Sequence, residues 1–490
     1  MLFRNKKYRY KEVIFSMQKI AVIGGLGTLA GGDLFFKLLK NKQVLKNQSN
    51  FHFGFEQKPY TQMDLPLYQE KDIKSRKFYT YSICKNFEAK NFTKILIPCF
   101  ASHSFINELQ KEISIPIVNL YEALKNFVKK RFPKGSRIGI LSSDYVKDLK
   151  ITKEYFQDYT LIYPENQNLL MESIYSKLGI KNGYLEGIAL ENIYSSCVNL
   201  IENGCDFVIP LITEISLIAD QIRKRGIQIL DVNQIYADYA LQNESLEPLK
   251  PFKLGILGGV GPAATVDFMN KVIQNTPAYK DQEHIKMIVE QNPQIPDRTA
   301  HLIHKDTDPT ISMFSTCKRL EVEGANAIAI PCNTAHAFVD SIQPHLNIPI
   351  INMITETAKY ILENWGENVN VGLLATTGTI QTNVYTNEFY KFKLNAIVPD
   401  HEHQEFVMES IYGAQGVKAG FTEGLCKENL LKAIDYLIKK DVEVIVLGCT
   451  ELPLMFKNYK EYKYKQAIII DPTEILAKKI VQLSKSEGNT

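Results

Sequence analysis

The amino-acid sequence contains an internal repeat, and this is the feature that most limits how the chain can fold. Motifs of the first half recur in the same order in the second half, displaced by 233 to 237 positions. They are residues 19–27 and 253–261, 97–105 and 330–338, 115–119 and 348–352, and 171–175 and 408–412. A repeat that keeps its order and nearly its register predicts two homologous domains. We therefore expect an extension over residues 1–16, a first domain over 17–250 and a second over 251–490.

Short β-branched segments alternate with longer stretches of helical periodicity in each half. In the second half we predict eight strands, at residues 252–257, 285–290, 325–330, 349–352, 369–375, 394–398, 442–447 and 467–470. This alternation is typical of α/β folds whose parallel sheets are covered by helices. We expect each half to consist of two small parallel-sheet α/β lobes. Ligands of such sheets bind at the carboxyl ends of the strands, which predicts an active-site cleft between the lobes.

Two cysteines of the second half directly follow predicted strands. Cys332 comes after an apolar segment that ends at Pro331, and Cys449 follows a second apolar segment. Thr334 and Thr450, which can cap a helix, lie one or two residues further on. A helix that begins at such a point lowers the pKa of a thiol and attracts a carboxylate. Two thiols on opposite sides of one carbon could then remove a proton and return it on the other face.

Less specific interpretations of these residues remain open. A buried cysteine is often only a small hydrophobic side chain. His336 follows Cys332 by four positions, about one helical turn. A nucleophilic cysteine usually needs a histidine base, but a histidine at this spacing can also cap a turn or pack in the core. The sequence does not choose between these two roles.

The second half resembles the aspartate/glutamate racemase family, cofactor-independent enzymes with two catalytic cysteines. The similar motifs are residues 258–265, 291–299, 331–335, 373–379 and 448–452, and they are more similar to the aspartate racemases than to the glutamate racemases. The resemblance implies a two-lobed fold, an active site between the lobes and commonly a dimer. It also implies that Cys332 and Cys449 are the acid/base pair. The positions that it assigns to the substrate carboxylates are Arg298, Asn333, Thr334, Thr376, Lys418 and Thr450.

The first half departs from this pattern at most of the positions that carry chemistry. The substitutions, given as second-half residue and first-half counterpart, are Asn333 and Phe100, Thr334 and Ala101, Cys449 and Ile212, and Arg298 and Asp64. Cys99 and Lys181 keep the positions of Cys332 and Lys418. With one thiol and no arginine fork for an anion, this half is predicted to keep the fold without the reaction. We expect it to act as an intramolecular partner, so that the two halves form a pseudo-dimer.

Composition excludes several classes of function. The formal net charge of the chain is +3, and residues 1–16 alone carry +4, so no broad basic surface for nucleic acid is predicted. No apolar segment approaches the length of a membrane span. Eight cysteines in 490 residues do not form a disulfide framework, which indicates a cytoplasmic protein. Residues 259–264 match G-x-G-x-x-A, the dinucleotide-binding fingerprint, but this match is weak. His401 and His403 could suggest a metal site, but they lack further ligands at zinc spacing.

Together these features predict an amino-acid racemase that uses neither pyridoxal phosphate nor a metal. Its substrate would be a small amino acid, aspartate or glutamate. One alternative is another two-cysteine isomerase or lyase of a small acid, of the hydantoin or maleate type. A second alternative is a dicarboxylate-binding protein without catalytic activity.

Overall fold

The computed structural model describes residues 17–58, 60, 70–242, 251–456 and 463–487. The chain divides into two compact units, Met1–Lys250 and Pro251–Thr490. The expected extension at residues 1–16 lies outside the described residues. In the part of the chain that the structure describes, no helix combines the length and the apolar character needed to cross a membrane.

The first unit has seven strands and eleven α-helices among its described residues. The strands are β1 Gln18–Ile23, β2 Phe51–Glu56, β3 Lys94–Leu96, β4 Ile117–Val118, β5 Arg137–Leu141, β6 Thr160–Ile162 and β7 Phe207–Pro210. The helices are α1 Thr28–Leu39, α2 Lys42–Lys46, α3 Glu70–Ala89, α4 Ile106–Glu112, α5 Leu120–Arg131, α6 Asp144–Asp148, α7 Lys150–Tyr155, α8 Gln167–Tyr175, α9 Ile188–Glu202, α10 Ala219–Lys224 and α11 Val232–Gln242. Two parallel sheets result, with strand orders β2-β1-β3-β4 and β6-β5-β7.

The second unit repeats this plan with a larger second sheet. Its strands are β8 Lys253–Gly258, β9 Lys286–Gln291, β10 Ala327–Ala329, β11 Asn370–Ala375, β12 Asn395–Ile397, β13 Val444–Gly448, β14 Lys463–Tyr464 and β15 Ala467–Ile470. Its helices are α12 Pro262–Asn275, α13 Arg298–His304, α14 Thr310–Val322, α15 Val339–Ile342, α16 Met353–Trp365, α17 Thr377–Gln381, α18 Val384–Lys391, α19 His401–Tyr412, α20 Leu425–Ile438 and α21 Pro472–Glu487. The strand orders are β10-β8-β9 and β12-β11-β13-β15-β14.

The expected α/β class with small parallel sheets is confirmed, and two details differ from the prediction. Residues 349–352 do not form a strand; a single parallel bridge joins Ile350 to Ile328. A two-residue edge strand, β14, pairs antiparallel with β15 and was not predicted. Both differences concern short segments at a sheet edge, where too few residues alternate to leave a pattern in the sequence.

A repeated asparagine determines where one helix of each unit begins. The Asn352 side chain accepts hydrogen bonds from the backbone N–H groups of Ile354 and Thr355 and so caps α16. Asn119 caps α5 in the same way. Side-chain capping satisfies N–H groups that have no partner within a helix. The repeated motif at residues 115–119 and 348–352 therefore encodes a short extended segment followed by a helix start.

The core of each lobe forms between its sheet and the covering helices. All five residues of β13 are buried, as expected for a parallel strand covered on both faces. The C-terminal helix α21 packs beside α12 and α16 and buries Leu476 and Ile480 against Leu254 and Ile256 of β8. Because α21 follows the last strand of the five-stranded sheet but packs on the other sheet, it joins the two lobes of this unit.

Candidate active site

One pocket of the second unit contains all eight residues that the sequence analysis selected. The open space in this pocket is about 290 Å³. The selected residues that line it are Arg298, Cys332, Asn333, Thr334, Thr376, Lys418, Cys449 and Thr450. Val260, Thr299, Tyr412 and Glu451 complete the lining. The pocket lies past the carboxyl ends of β10, β11 and β13, so both sheets of the unit contribute to it.

The structure gives His336 a structural role. Its Nε2 accepts a hydrogen bond from the Met353 N–H at 3.1 Å, so the proton lies on Nδ1, which donates to the Cys332 carbonyl at 2.9 Å. Burial lowers the pKa of His336 to about 4, and the ring is therefore neutral. Both ring nitrogens are occupied by backbone groups. His336 therefore holds the loop that carries Cys332 and is not a base for its thiol.

The α-helix expected directly after each cysteine is a short 3-10 helix in the structure. Cys332 is followed by a 3-10 turn over Thr334–Phe338, and Cys449 by another over Leu452–Phe456. Burial, followed by the negative charge of Glu451, raises the pKa of Cys449 well above its ordinary value. The prediction of a lowered pKa is therefore wrong for Cys449, because desolvation of the thiolate outweighs the attraction of Lys418.

Glu451 connects the Cys449 thiol to Lys418. Cys449 Sγ donates to Glu451 Oε2 at 3.1 Å, and Lys418 Nζ forms an ion pair with Glu451 Oε1 at 2.7 Å. Burial opposes the charge on Lys418, but Glu451 and Cys449 outweigh it and raise the pKa of the ammonium above its usual value. The predicted substrate cation is thus already paired with a carboxylate that the sequence analysis did not select.

Arg298 is the first residue of α13 and faces the pocket. Asp297 caps this helix, because its Oδ1 accepts the Ala300 N–H at 2.8 Å. Arg298 Nη1 donates to the carbonyl oxygens of Ile295 and Pro296, at 3.2 and 3.0 Å. Its Nε is buried and has no hydrogen-bond partner among the described residues. A buried N–H without a partner is costly, so this guanidinium is prepared for an anionic ligand.

Tyr385 determines the orientation of the Asn333 amide. The Tyr385 hydroxyl donates to Asn333 Oδ1 at 2.5 Å, and both side chains are buried. The Asn333 Nδ2 has no partner within the described part of the chain. The amide therefore presents its N–H₂ group as a free donor in the pocket. Tyr385 lies 52 positions after Asn333, and no sequence pattern connects the two.

Threonine hydroxyls form a second polar wall of the pocket. Thr334 Oγ1 lies 2.7 Å from Thr379 Oγ1 and 3.2 Å from Thr376 Oγ1. Thr376 also caps α17 by accepting the Thr379 N–H. Thr450 Oγ1 donates to the Pro331 carbonyl at 3.1 Å. This last bond links the loop that carries Cys449 to the loop that carries Cys332.

The glycine motif at residues 259–264 brings the turn after β8 close to other backbone and to Glu451. Gly259 has φ +86°, and a Cβ there would lie 2.3 Å from the Asn292 backbone. Gly261 has φ +124°, and its Cβ would lie 2.5 Å from Glu451 Oε1. Only glycine permits this conformation and this close approach. In the described residues, no cluster of three or more His, Cys, Asp or Glu is arranged to hold a metal ion.

The sequence analysis did not select several residues of the site, although they lie within motifs that it quoted. Glu451 lies within the motif at residues 448–452 that carried the resemblance, directly after Thr450, so its proximity to Cys449 could have been anticipated. Thr299 and Tyr412 line the pocket from helices α13 and α19. Thr299 ends the motif at residues 291–299 and Tyr412 ends the repeated segment at residues 408–412, so both positions also lay within stretches that the sequence analysis singled out.

Comparison with known proteins gives matches to both halves of the chain. A family model described as Asp/Glu/hydantoin racemase matches residues 62–240 and 257–480. The broad-specificity amino-acid racemase RacX of Bacillus subtilis is 27% identical over 232 residues, covering 46% of this chain and 96% of that protein. A glutamate racemase of Prochlorococcus marinus is 28% identical over 165 residues, which is 32% of this chain and 56% of that protein.

Among solved structures, the aspartate racemase of Picrophilus torridus has 30% identity and a TM-score of 0.42 and covers 48% of this chain and 94% of its own. The two segments matched by the family model span most of the chain, and each falls within one repeat. The chain therefore belongs to the Asp/Glu/hydantoin racemase family and carries two copies of its domain.

Proposed function

We propose that the second unit interconverts L- and D-aspartate, or the glutamate pair, by two-cysteine proton transfer at Cα. The observation that carries this proposal is that Cys332 and Cys449 line the same pocket, past the ends of strands from two different sheets. One sulfur removes the Cα proton from one face of the substrate, and the other delivers a proton to the opposite face. The two sulfurs exchange roles in the reverse direction.

The polar groups of the pocket support a dicarboxylic substrate. Arg298 has an unpartnered buried Nε, and Asn333 has an unpartnered Nδ2. We assign one carboxylate to Arg298 and the other to Asn333 with the hydroxyls of Thr334 and Thr376. A guanidinium and an amide N–H₂ both donate to carboxylate oxygens. Lys418 contributes positive charge at the same site while it remains paired with Glu451.

The raised pKa of Cys449 supports a particular starting state. At neutral pH Cys449 is a thiol, so it is the proton donor in the direction in which Cys332 removes the Cα proton. In the opposite direction Cys449 must first lose its proton. Glu451, which accepts the S–H hydrogen bond, is the proton acceptor in reach, and Lys418 stabilises the thiolate that forms.

Isotope exchange tests the proposed reaction. In heavy water with L-aspartate as substrate, the enzyme should incorporate deuterium at Cα while D-aspartate accumulates. Cys332→Ala and Cys449→Ala should each lower racemisation by at least roughly 10²-fold, because each removes one of the two acid/base groups. Cys99→Ala is the matched control in the first unit and should leave the rate unchanged. Racemisation that survives either second-unit change would refute the two-cysteine mechanism.

A broader substrate range is a second candidate. RacX is described as having broad specificity, and 96% of the length of RacX is similar to part of this chain. In this pocket the ammonium of Lys418 is already paired with Glu451, which leaves Arg298 as the cation without a carboxylate partner among the described residues. Chiral chromatography of reactions with each of the common amino acids distinguishes the two candidate functions. Turnover restricted to aspartate and glutamate supports the first candidate, and comparable turnover of neutral amino acids supports the second.

We also propose that the first unit replaces the partner that a single-domain racemase obtains from a second chain. Its described residues have the same α/β plan, but Ile212 stands at the position of Cys449. A covalently linked partner has a high effective concentration and does not dissociate on dilution.

We place the protein in the cytoplasm. All eight cysteines are free, and the proposed chemistry needs two reduced thiols, which a reducing compartment maintains. Fractionation of cells that express the chain tests this placement. We expect to detect the chain in the soluble cytoplasmic fraction. Recovery from an oxidising compartment would contradict this placement.

A further inference from the structure

The first unit has its own pocket at the position that corresponds to the racemase site. The open space in it is about 450 Å³, and Cys99 and Lys181 lie in its wall as Cys332 and Lys418 do in the second unit. Several polar groups of the second-unit site are apolar here. Phe100 stands in place of Asn333, Ala101 in place of Thr334, Val146 in place of Thr379 and Ile212 in place of Cys449. This pocket has therefore lost the proton relay and gained an apolar wall.

A buried arginine lies in this pocket, which the sequence analysis did not anticipate. Arg76 comes from α3, at the position that Pro309 occupies in the second half, and only 4% of its surface is exposed. Its Nη1 donates to Cys99 Sγ at 3.2 Å, and its guanidinium lies over the Tyr60 ring at 5.3 Å. The predicted loss of the Arg298 counterpart therefore does not leave this pocket without an arginine, because Arg76 enters it from a different position. Asp64, the counterpart of Arg298, lies outside the described residues.

The charges of the pocket leave Arg76 without a carboxylate among the described residues. Lys181 Nζ and Glu214 Oε1 form an ion pair at 2.5 Å, so these two charges cancel. Arg76 Nε is buried and has no hydrogen-bond partner in the described part of the chain. An unpaired buried charge is costly, and a guanidinium binds a carboxylate through two parallel hydrogen bonds. Among the described residues, the lining of this pocket therefore has a net positive charge and one unfilled set of donors.

We propose that the first unit binds a small monocarboxylate with an apolar side chain, with the carboxylate on Arg76 and the side chain against Phe100, Val146 and Ile212. Each pocket has one lysine paired with a glutamate and one arginine without a carboxylate among the described residues. The second unit adds the Asn333 amide and threonine hydroxyls as further donors, whereas this pocket has apolar side chains at those positions. A second carboxylate would lie near the negative charge of Glu214 or against the apolar wall. This binding site does not depend on the racemase reaction proposed for the second unit.

Calorimetric titration of the full chain with 4-methylpentanoate tests the proposal. The wild-type chain should bind it in a saturable manner, and the neutral amide 4-methylpentanamide should bind at least tenfold more weakly because it cannot pair with a guanidinium. Arg76→Met should weaken 4-methylpentanoate binding at least tenfold, and the matched control Arg298→Met in the second unit should not. No binding by the wild-type chain, or binding that is lost only in Arg298→Met, would overturn the proposal.

Cysteine alkylation locates the ligand without relying on Arg76→Met to fold. Cys99 is half-buried, and the other seven cysteines are buried. Because Cys99 lines the pocket, 4-methylpentanoate should slow its alkylation by iodoacetamide at least threefold, as measured by mass spectrometry of the peptide that contains it. Ala101→Phe, which fills the pocket without removing a charge, should abolish this protection. Calorimetric binding with no protection of Cys99 would place the ligand elsewhere and refute the site.

Discussion

Glu451 is the residue whose position most affects the chemistry expected of Cys449. Its carboxylate accepts the Cys449 S–H and, together with burial, raises the pKa of that thiol. In Glu451→Gln this negative charge is lost and Lys418 faces the thiol alone. We expect the Cys449 pKa to fall, so that alkylation of Cys449 begins at a lower pH than in the wild type. Racemisation should fall by roughly 10²-fold, because the thiol loses its proton acceptor.

Glu214→Gln provides the matched control for this change. Glu214 pairs with Lys181 as Glu451 pairs with Lys418, but Ile212 stands where the thiol would be. We expect neither racemisation nor the alkylation profile of Cys449 to change in Glu214→Gln. An unaltered alkylation profile in Glu451→Gln would show that Glu451 does not control the thiol.

His103 and His336 are expected to make the folded chain less stable in mild acid. Burial lowers the pKa of each to about 4, whereas the ordinary value is 6.5. Between these values the unfolded chain binds protons that the folded chain does not, so the free energy of unfolding falls as the pH falls from about 6.5 towards 4. His336→Gln can keep one donor and one acceptor without titrating. Its urea midpoint should therefore fall less between pH 7 and pH 5 than that of the wild type, whereas the exposed control His304→Gln should show the wild-type fall.

At the scale of the element, one threonine in each unit links the loop at the position of Cys332 to the loop at the position of Cys449. Thr450 Oγ1 donates to the Pro331 carbonyl, and Thr213 Oγ1 donates to the Pro98 carbonyl at 3.0 Å. Thr450→Val and Thr213→Val should each destabilise their unit by about 1 kcal/mol, because a buried hydrogen bond is lost. Only Thr450→Val should also lower racemisation, since it separates Cys332 from Cys449. Urea unfolding and racemisation assays check this, and equal loss of activity in both variants would contradict it.

At the scale of the whole molecule, the duplication changes what oligomeric state is expected. If the first unit supplies the partner surface within the chain, the full chain should sediment as one copy of 55.9 kDa at micromolar concentration. Sedimentation equilibrium measures this directly. A stable dimer of the full chain would show that the partner surface is supplied by a second copy instead.

Much of the fold follows from patterns that repeat along the chain. The prediction for residues 467–470 coincides with β15, and that for 252–257 differs from β8 by one residue at each end. Long apolar β-branched segments identify parallel strands because both faces are buried. The selected residues that follow strands line one pocket because parallel strands end at the same edge of a sheet, whereas Arg298 and Lys418 reach it from a helix start and a 3-10 helix. The contact between Arg76 and Cys99 could not be predicted, because they belong to separate elements of the first unit.

The sequence by itself determined that the chain contains two copies of one domain, that both are α/β and that only the second keeps both cysteines. These properties depend on residue type and spacing. Only the tertiary structure decided the state of the ionisable groups: a thiol with a raised pKa beside Glu451, a neutral histidine under Cys332 and a buried arginine in the first unit. Such states depend on which charges lie within hydrogen-bonding distance and how far water is excluded, and the packed chain alone sets both.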